Sequence, residues 1–141
     1  MSLTPVQPEG WPPPRGYSNG VVTRGALLHI GGQIGWRPDG TFESEDLLGQ
    51  FAQCLDNVLA VARAAGAGPA DIARMTVYVT DLDAYRRSLS GLKEVWRARL
   101  GRHYPAMAMV GVTGLVEPRA LVEIEAVAVL SDVSTDTKSV P

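Results

Sequence analysis

Cysteine is almost missing from this chain: Cys54 is the one thiol in 141 residues, so neither an internal disulfide nor a cysteine-based metal site can form, and such usage fits a reducing cytoplasm. Aromatic residues make up only 6%, which leaves little material for stacking nucleobases. Positive charge is not in excess. Thirteen Lys and Arg against fifteen Asp and Glu give a net charge of −2 and a pI near 5.6, so nothing draws the chain to a phosphate backbone, and no nucleic-acid partner is expected. No apolar run approaches the ~20 residues that cross a bilayer, and the proline-rich start lacks a hydrophobic signal core. The expectation is a cytoplasmic protein without a membrane partner. Motifs of common chemistry are also lacking. There is no P-loop, nucleophile elbow or HExxH. Gly31-Gly32-Gln33-Ile34-Gly35 does not have the spacing of a dinucleotide loop, and no helix opens at it. His29 and His103 stand far apart without metal-ligand spacing. No metal and no cofactor are expected.

What is present is an ordinary globular composition, 45% hydrophobic and 20% charged, in a length that matches one domain of roughly 100 to 150 residues. Five of the ten prolines fall in the first fourteen residues, which excludes helix and central strand there. Residues 1–15 read as an extended arm with Trp11 as an anchor, residues 16–130 as the domain, and the polar, aperiodic residues 131–141 as a flexible tail.

Within the domain, Gly20 to Thr23 and Ala26 to Ile34 read as two strands paired around Arg24-Gly25, followed by a turn at Pro38-Asp39-Gly40. From Asp46 to Ala65, Leu47, Phe51, Leu55, Val58 and Ala62 step by three and four, with Ser44 as N-cap and Gly66 as stop, so this segment is an amphipathic helix. Arg74 to Thr80 reads as a strand, and Asp81 and Asp83 open a second helix that ends at Gly101. Ala106 to Val112 and Leu121 to Leu130 read as two more strands joined across Glu117-Pro118.

The order β-β-α-β-α-β-β gives two helices, enough to cover one face of a sheet. Alternation puts Met107, Met109 and Gly111 on one side of their strand. In the last strand it sets Val122, Ile124 and Ala126 opposite Glu123 and Glu125. Placing Val122, Ile124 and Ala126 under the helices leaves a face of methionines and carboxylates uncovered, which predicts a homo-oligomer packed through it. Glu123 and Glu125 inside an apolar strand must be solvated, paired, or held in a cleft between subunits. Cys54 beside Phe51 and Leu55 reads as a small packed hydrophobe, and residues alone carry the reading no further.

Taken together, Gly16-Tyr17-Ser18, Ile30-Gly31-Gly32-Gln33-Ile34, Leu55-Asp56-Asn57-Val58, Met75 to Leu82, Tyr104-Pro105-Ala106 and Val122-Glu123-Ile124-Glu125-Ala126-Val127-Ala128 resemble, in order and spacing, the Rid proteins (reactive intermediate deaminases, the YjgF/YER057c/UK114 family). The resemblance implies an α+β, chorismate-mutase-like two-layer sandwich: a mixed sheet with two helices on one face, assembled as a homotrimer with ligand sites in the clefts between subunits. It implies hydrolysis of a small-molecule enamine or imine to a carbonyl product and ammonia, without a cofactor. Glu123 then matches the catalytic acid/base and Tyr17 the site tyrosine, with Gly31, Gly32, Met107 and Met109 lining the substrate cleft. The alternative is a non-catalytic, metabolite-binding or accessory trimer. RNA cleavage, an older label for the family, finds no support in this acidic pI.

Two positions depart from the family pattern. Archetypal members have Pro-Ala-Arg where this chain has Pro105-Ala106-Met107, and Ser-Gly-Gln where it has Gly31-Gly32-Gln33. Losing an arginine that grips the substrate carboxylate removes charge-assisted bonds worth roughly 1.5 to 3 kcal/mol. The expected ligand is therefore bulkier than a small α-imino acid, unless Arg15, Arg24 or Arg119 from a neighbouring chain replaces the missing cation.

Overall fold

The computed structural model describes residues 2–130; the segment read as a tail, 131–141, lies outside them. The chain runs β1 (Leu3–Val6), β2 (Gly20–Thr23), β3 (Ala26–Ile34), α1 (Leu47–Ala64), a 3-10 turn (Pro69–Asp71), β4 (Ile72–Val79), α2 (Leu82–Arg87), α3 (Leu89–Leu100), β5 (Ala106–Gly111) and β6 (Val122–Leu130). The main sheet has four strands in the order β3-β6-β4-β5, and β1 and β2 form a separate two-stranded ribbon. β6 is antiparallel to β3 and β4, whereas β4 and β5 are parallel. A parallel neighbour needs a crossover, which α2 and α3 supply.

One expectation about connectivity is corrected. β2 does not pair with β3. Gly25 takes φ +122°, and a side chain there would run into the Leu130 carbonyl, so Arg24-Gly25 forms a corner that sends β3 to β6 while β2 pairs with β1. The proline-rich arm thus contributes an edge strand, compatible with Pro5 because an edge leaves N–H positions unpaired. Trp11 is 59% exposed in the single chain. β5 and β6 follow one another in the chain but are not neighbours in the sheet, because β4 lies between them.

The helices are bounded by side-chain chemistry. Asp46, not Ser44, caps α1: its carboxylate accepts from the Gly49 N–H at 2.7 Å, and Ser44 supports it by accepting from the Asp46 N–H at 3.2 Å. Gly66, at φ +84°, follows the helix end. The second helical stretch is broken. Asp81 caps α2, and Ser88, with φ −103° and ψ 9°, leaves helical geometry while its hydroxyl donates to the Ala84 carbonyl at 2.7 Å.

The core lies between the sheet and α1 and α3. Phe51, Leu55 and Val58 of α1 and Trp96 and Leu100 of α3 pack on Met75, Val77, Ile124 and Ala126. One polar side chain is buried here. Gln50 is 1% exposed; its amide donates to the Ser44 and Arg119 carbonyls and its oxygen accepts from the Leu121 N–H at 2.8 Å. It ties the start of β6 to α1, a fully satisfied exception of the kind burial demands.

Register settles the faces. Met75 pairs with Met107 and Val77 with Met109, and paired residues share a face. Since Met75 and Val77 are in the core, Met107 and Met109 point to the helix side as well. The expectation that these methionines share an uncovered face with Glu123 is therefore wrong. Alternation within one strand fixes which residues go together, but not which set is covered. The open face instead carries Thr76 and Tyr78 paired with Glu125 and Glu123, and Ala108 and Val110 beside them on β5.

Candidate functional site

On the open face, Glu123 lies across the end of β3. A methyl group built on Gly32 would meet the Glu123 carboxyl carbon at 2.8 Å, so glycine at this position makes room for the carboxylate. Among the described residues no hydrogen bond or ion pair engages the Glu123 side chain. Glu125, two residues on, is committed: the Tyr78 hydroxyl donates to its Oε1 at 2.5 Å. That bond, with burial and the charges of Glu125 and Glu123, pushes the Tyr78 phenol above its ordinary range. Beside this pair is a cavity of about 410 Å³ lined by His29, Gly31, Arg74, Thr76 and Glu125. Nothing stands within 4 Å of a side chain built at Gly31.

The Glu123 charge is felt through the sheet. Burial pushes the Cys54 thiol far up, and Glu123 adds to the shift. Cys54 is fully buried, its sulfur 3.6 Å from the Val122 carbonyl; a neutral, packed thiol is what its place on the apolar side of α1 predicts.

The second group of residues assembles elsewhere. The Ser18 N–H donates to the Pro105 carbonyl at 2.9 Å and the Ser18 hydroxyl to the Tyr104 carbonyl at 2.6 Å. These bonds dock Gly16-Tyr17-Ser18 on the start of β5, with Ser18 bridged to Ala106. Gly16 takes φ +77° at this bend. Tyr17 consequently shares with Met107 and Met109 a cavity of about 870 Å³, whose opposite wall is α3. Trp96 and Tyr104 stack in that wall with ring centroids 6.2 Å apart, and the Trp96 indole N–H donates to the His103 carbonyl at 3.1 Å.

The expected site residues thus form two groups within one chain: Glu123, Gly31 and Gly32 about the open face, and Tyr17, Met107 and Met109 in the helix-side cavity. His29 belongs to the first region. His103 is structural, with Nε2 2.6 Å from the Ile72 carbonyl. Of the cations considered as replacements, Arg119 pairs with Glu117 at 2.9 Å and lies over the Phe42 ring, while Arg15 reaches the larger cavity. Lys93 and Arg97 also line that cavity and escaped the sequence reading. Their signal was there, as positions i and i+4 on the polar side of α3, but only the chain trace brings that side against β5. Among the described residues no group of His, Cys, Asp and Glu could hold a metal ion, and no helix is long and apolar enough to cross a membrane.

Comparison with known proteins agrees with this architecture. Residues 11–130 match the model of the family described as Endoribonuclease L-PSP. The chain is 33% identical over 121 residues to a RutC family protein of Pyrococcus horikoshii, covering 85% of this chain and 92% of that one. It is 33% identical over 108 residues to the 2-iminobutanoate/2-iminopropanoate deaminase of Salmonella typhimurium, covering 77% of this chain and 83% of that one. The solved structure of YyfB from Yersinia pestis, described as a protein of unknown function of the conserved Rid family, is similar with a TM-score of 0.83 and 35% identity, covering 92% of this chain and 100% of that chain.

Proposed function

Because this chain belongs to the Rid (YjgF/YER057c/UK114) family, we propose that it is a hydrolytic deaminase of reactive enamines and imines, working as a homotrimer whose sites lie between subunits. One observation carries the reading: Glu123 presents an unpartnered carboxylate on a solvent-open sheet face, seated over Gly32. A buried or ion-paired carboxylate serves structure, whereas one held by its backbone but left unpaired can exchange a proton.

The reaction needs little more. An enamine tautomerises to its imine; the Glu123 carboxylate takes a proton from water as the water oxygen bonds to the imine carbon, and passes that proton to the imine nitrogen to give a neutral carbinolamine. The carboxylate then takes the carbinolamine hydroxyl proton and delivers it to the amine nitrogen as the C–N bond breaks with its electron pair on nitrogen, leaving a carbonyl, ammonia and the free carboxylate. Water is consumed once and no electrons are exchanged. Tyr17 supplies a hydroxyl to orient ligand or water. Since Tyr17 and Glu123 belong to different regions of one chain, the proposed trimer joins the Glu123 face of one copy to the Tyr17 cavity of the next. Met107, where archetypal members carry arginine, directs the enzyme away from small α-imino acids such as 2-aminoacrylate.

Ammonia release from enamines generated in situ tests the proposal, with the Glu123→Gln variant as control. Turnover by the natural protein, lost in the variant, is the expected result. No acceleration of any enamine across a panel of small, branched and aromatic types rejects the activity. Light scattering tests the assembly separately: a mass about three times the 15.1 kDa of the chain is expected, and a monomer removes the intersubunit site.

A further inference from the structure

The larger cavity has a lining that its size alone does not require. Its β5 wall is apolar, with Met107 and Met109, and Phe51 and Leu92 lie behind them. Its rim carries Arg15, Lys93 and Arg97, and no aspartate or glutamate of the same chain lines it. None of these three cations takes part in the ion pairs found among the described residues, which join Arg37 to Glu43, Arg86 to Asp83, Arg99 to Asp56 and Arg119 to Glu117. In a chain whose net charge is −2, a concavity whose charged residues within the chain are all cations is a departure from the average surface. Tyr85, half-buried in the same wall, adds a phenol that burial keeps protonated as a donor.

Chemistry and size together define the occupant. A volume of about 870 Å³ lies in the range of pockets that enclose drug-sized ligands, and a three-carbon imino acid would leave most of it empty. Donors and cations without a carboxylate call for an anion. Methionine and stacked aromatics call for an apolar, ring-sized body. The cations stand on α3 and the N-terminal segment, whereas the strand wall beside Tyr17 is uncharged at Met107. The acidic group of the ligand therefore points at α3 and not at β5.

We infer that this cavity selects an anionic ligand with an apolar ring-sized body, its acidic group held by Lys93 and Arg97 on α3 with Arg15 closing from the N-terminal segment. Resting on the deaminase reading above, this names the substrate class: an enamine or imine whose carboxylate is separated from the reacting carbon by an apolar spacer, in place of one directly attached to it. Met107 then marks a relocation of the anion site and not its loss.

Binding of phenylacetate to the full chain, measured by calorimetry, tests the inference, with phenylacetamide as the neutral isostere and acetate as the anion without a body. Phenylacetate should bind at least about tenfold more tightly than either control, and more weakly as salt rises from about 50 to about 500 mM. Lys93 and Arg97 are exposed, so a Lys93→Gln, Arg97→Gln double variant should keep its fold, as a thermal melt will verify. It should lose at least about tenfold in phenylacetate affinity while binding phenylacetamide as before. Equal binding of acid and amide, retained phenylacetate affinity in the double variant, or no phenylacetate binding at millimolar concentration overturns the inference. The two proposals fail separately: failure of the deaminase reading shows in the ammonia assay of the natural protein, and failure of the anion site in the phenylacetate titration.

Discussion

The open face of the sheet and the cavity between β5 and α3 are one strand apart and opposite in chemistry. The first presents carboxylates, Glu123 and Glu125, beside Tyr78, Thr76, His29, Arg74 and glycines; the second presents methionines, aromatic rings and cations with no acid of the same chain. In the first, position is imposed by backbone: Gly32 admits the Glu123 carboxyl, and β6 register sets it beside Tyr78. In the second, position is imposed by docking of a loop, since Tyr17 arrives through the Ser18 bonds to the Tyr104 and Pro105 carbonyls. A proton-transfer group profits from the rigid setting and a ligand-gripping wall from the adaptable one. The proposed function divides labour between the two regions.

The largest effect is expected at Glu123. Glu123→Gln keeps size and hydrogen bonding but removes the titrating group, so deamination should fall by on the order of 10²-fold or more while the oligomer persists. Retained turnover would remove the open face from the chemistry. A smaller loss, roughly tenfold, is expected for Gly32→Ala. The added methyl meets only the end of a flexible side chain, so it should displace the Glu123 carboxylate and leave the melting temperature nearly unchanged. A variant that unfolds instead would mean that Gly32 is required for the strand and not for the acid. Glu125→Gln should change the rate by no more than about threefold, because the Tyr78 hydroxyl already occupies that carboxylate.

The smallest effect concerns pH. Tyr78 holds its proton more tightly in the folded chain, through its bond to Glu125 first and burial next. Its stabilising contribution is therefore complete below the ordinary tyrosine value of about 10 and is lost as pH rises through the raised folded value. Tyr78→Phe should flatten this part of the alkaline loss of stability in thermal melts, and an unchanged alkaline profile would dissociate the pair from stability.

Much of the layout was legible in the sequence because it rests on local chemistry. The period of α1, the stop at Gly66 and the alternation of β6 are written in residue types, and structure places Val122, Ile124 and Ala126 under the helices as read. What was not legible rests on pairing between distant segments. Whether Met107 or Ala108 faces α3 depends on parallel register with β4, which β5 alone does not encode. Likewise, the partition of β2 and β3 into different sheets follows from the Gly25 corner against Leu130, more than a hundred residues away on the order of chain length. The carboxylate and tyrosine could be singled out by residue type and resemblance, but their separation within one chain, and the cations of α3 facing β5, exist only after folding.

The central claim is that the open face of one copy works with the cavity of another. It is tested most directly by co-expressing two differently tagged variants, Glu123→Gln and Tyr17→Ala, and assaying ammonia release by the doubly purified mixed oligomer. Each parent alone should be strongly impaired. The account predicts that the mixture exceeds both parents, because some interfaces unite an intact Glu123 from one copy with an intact Tyr17 from its neighbour. Activity no higher than that of the better parent, in a mixed oligomer shown to contain both tags, would contradict it.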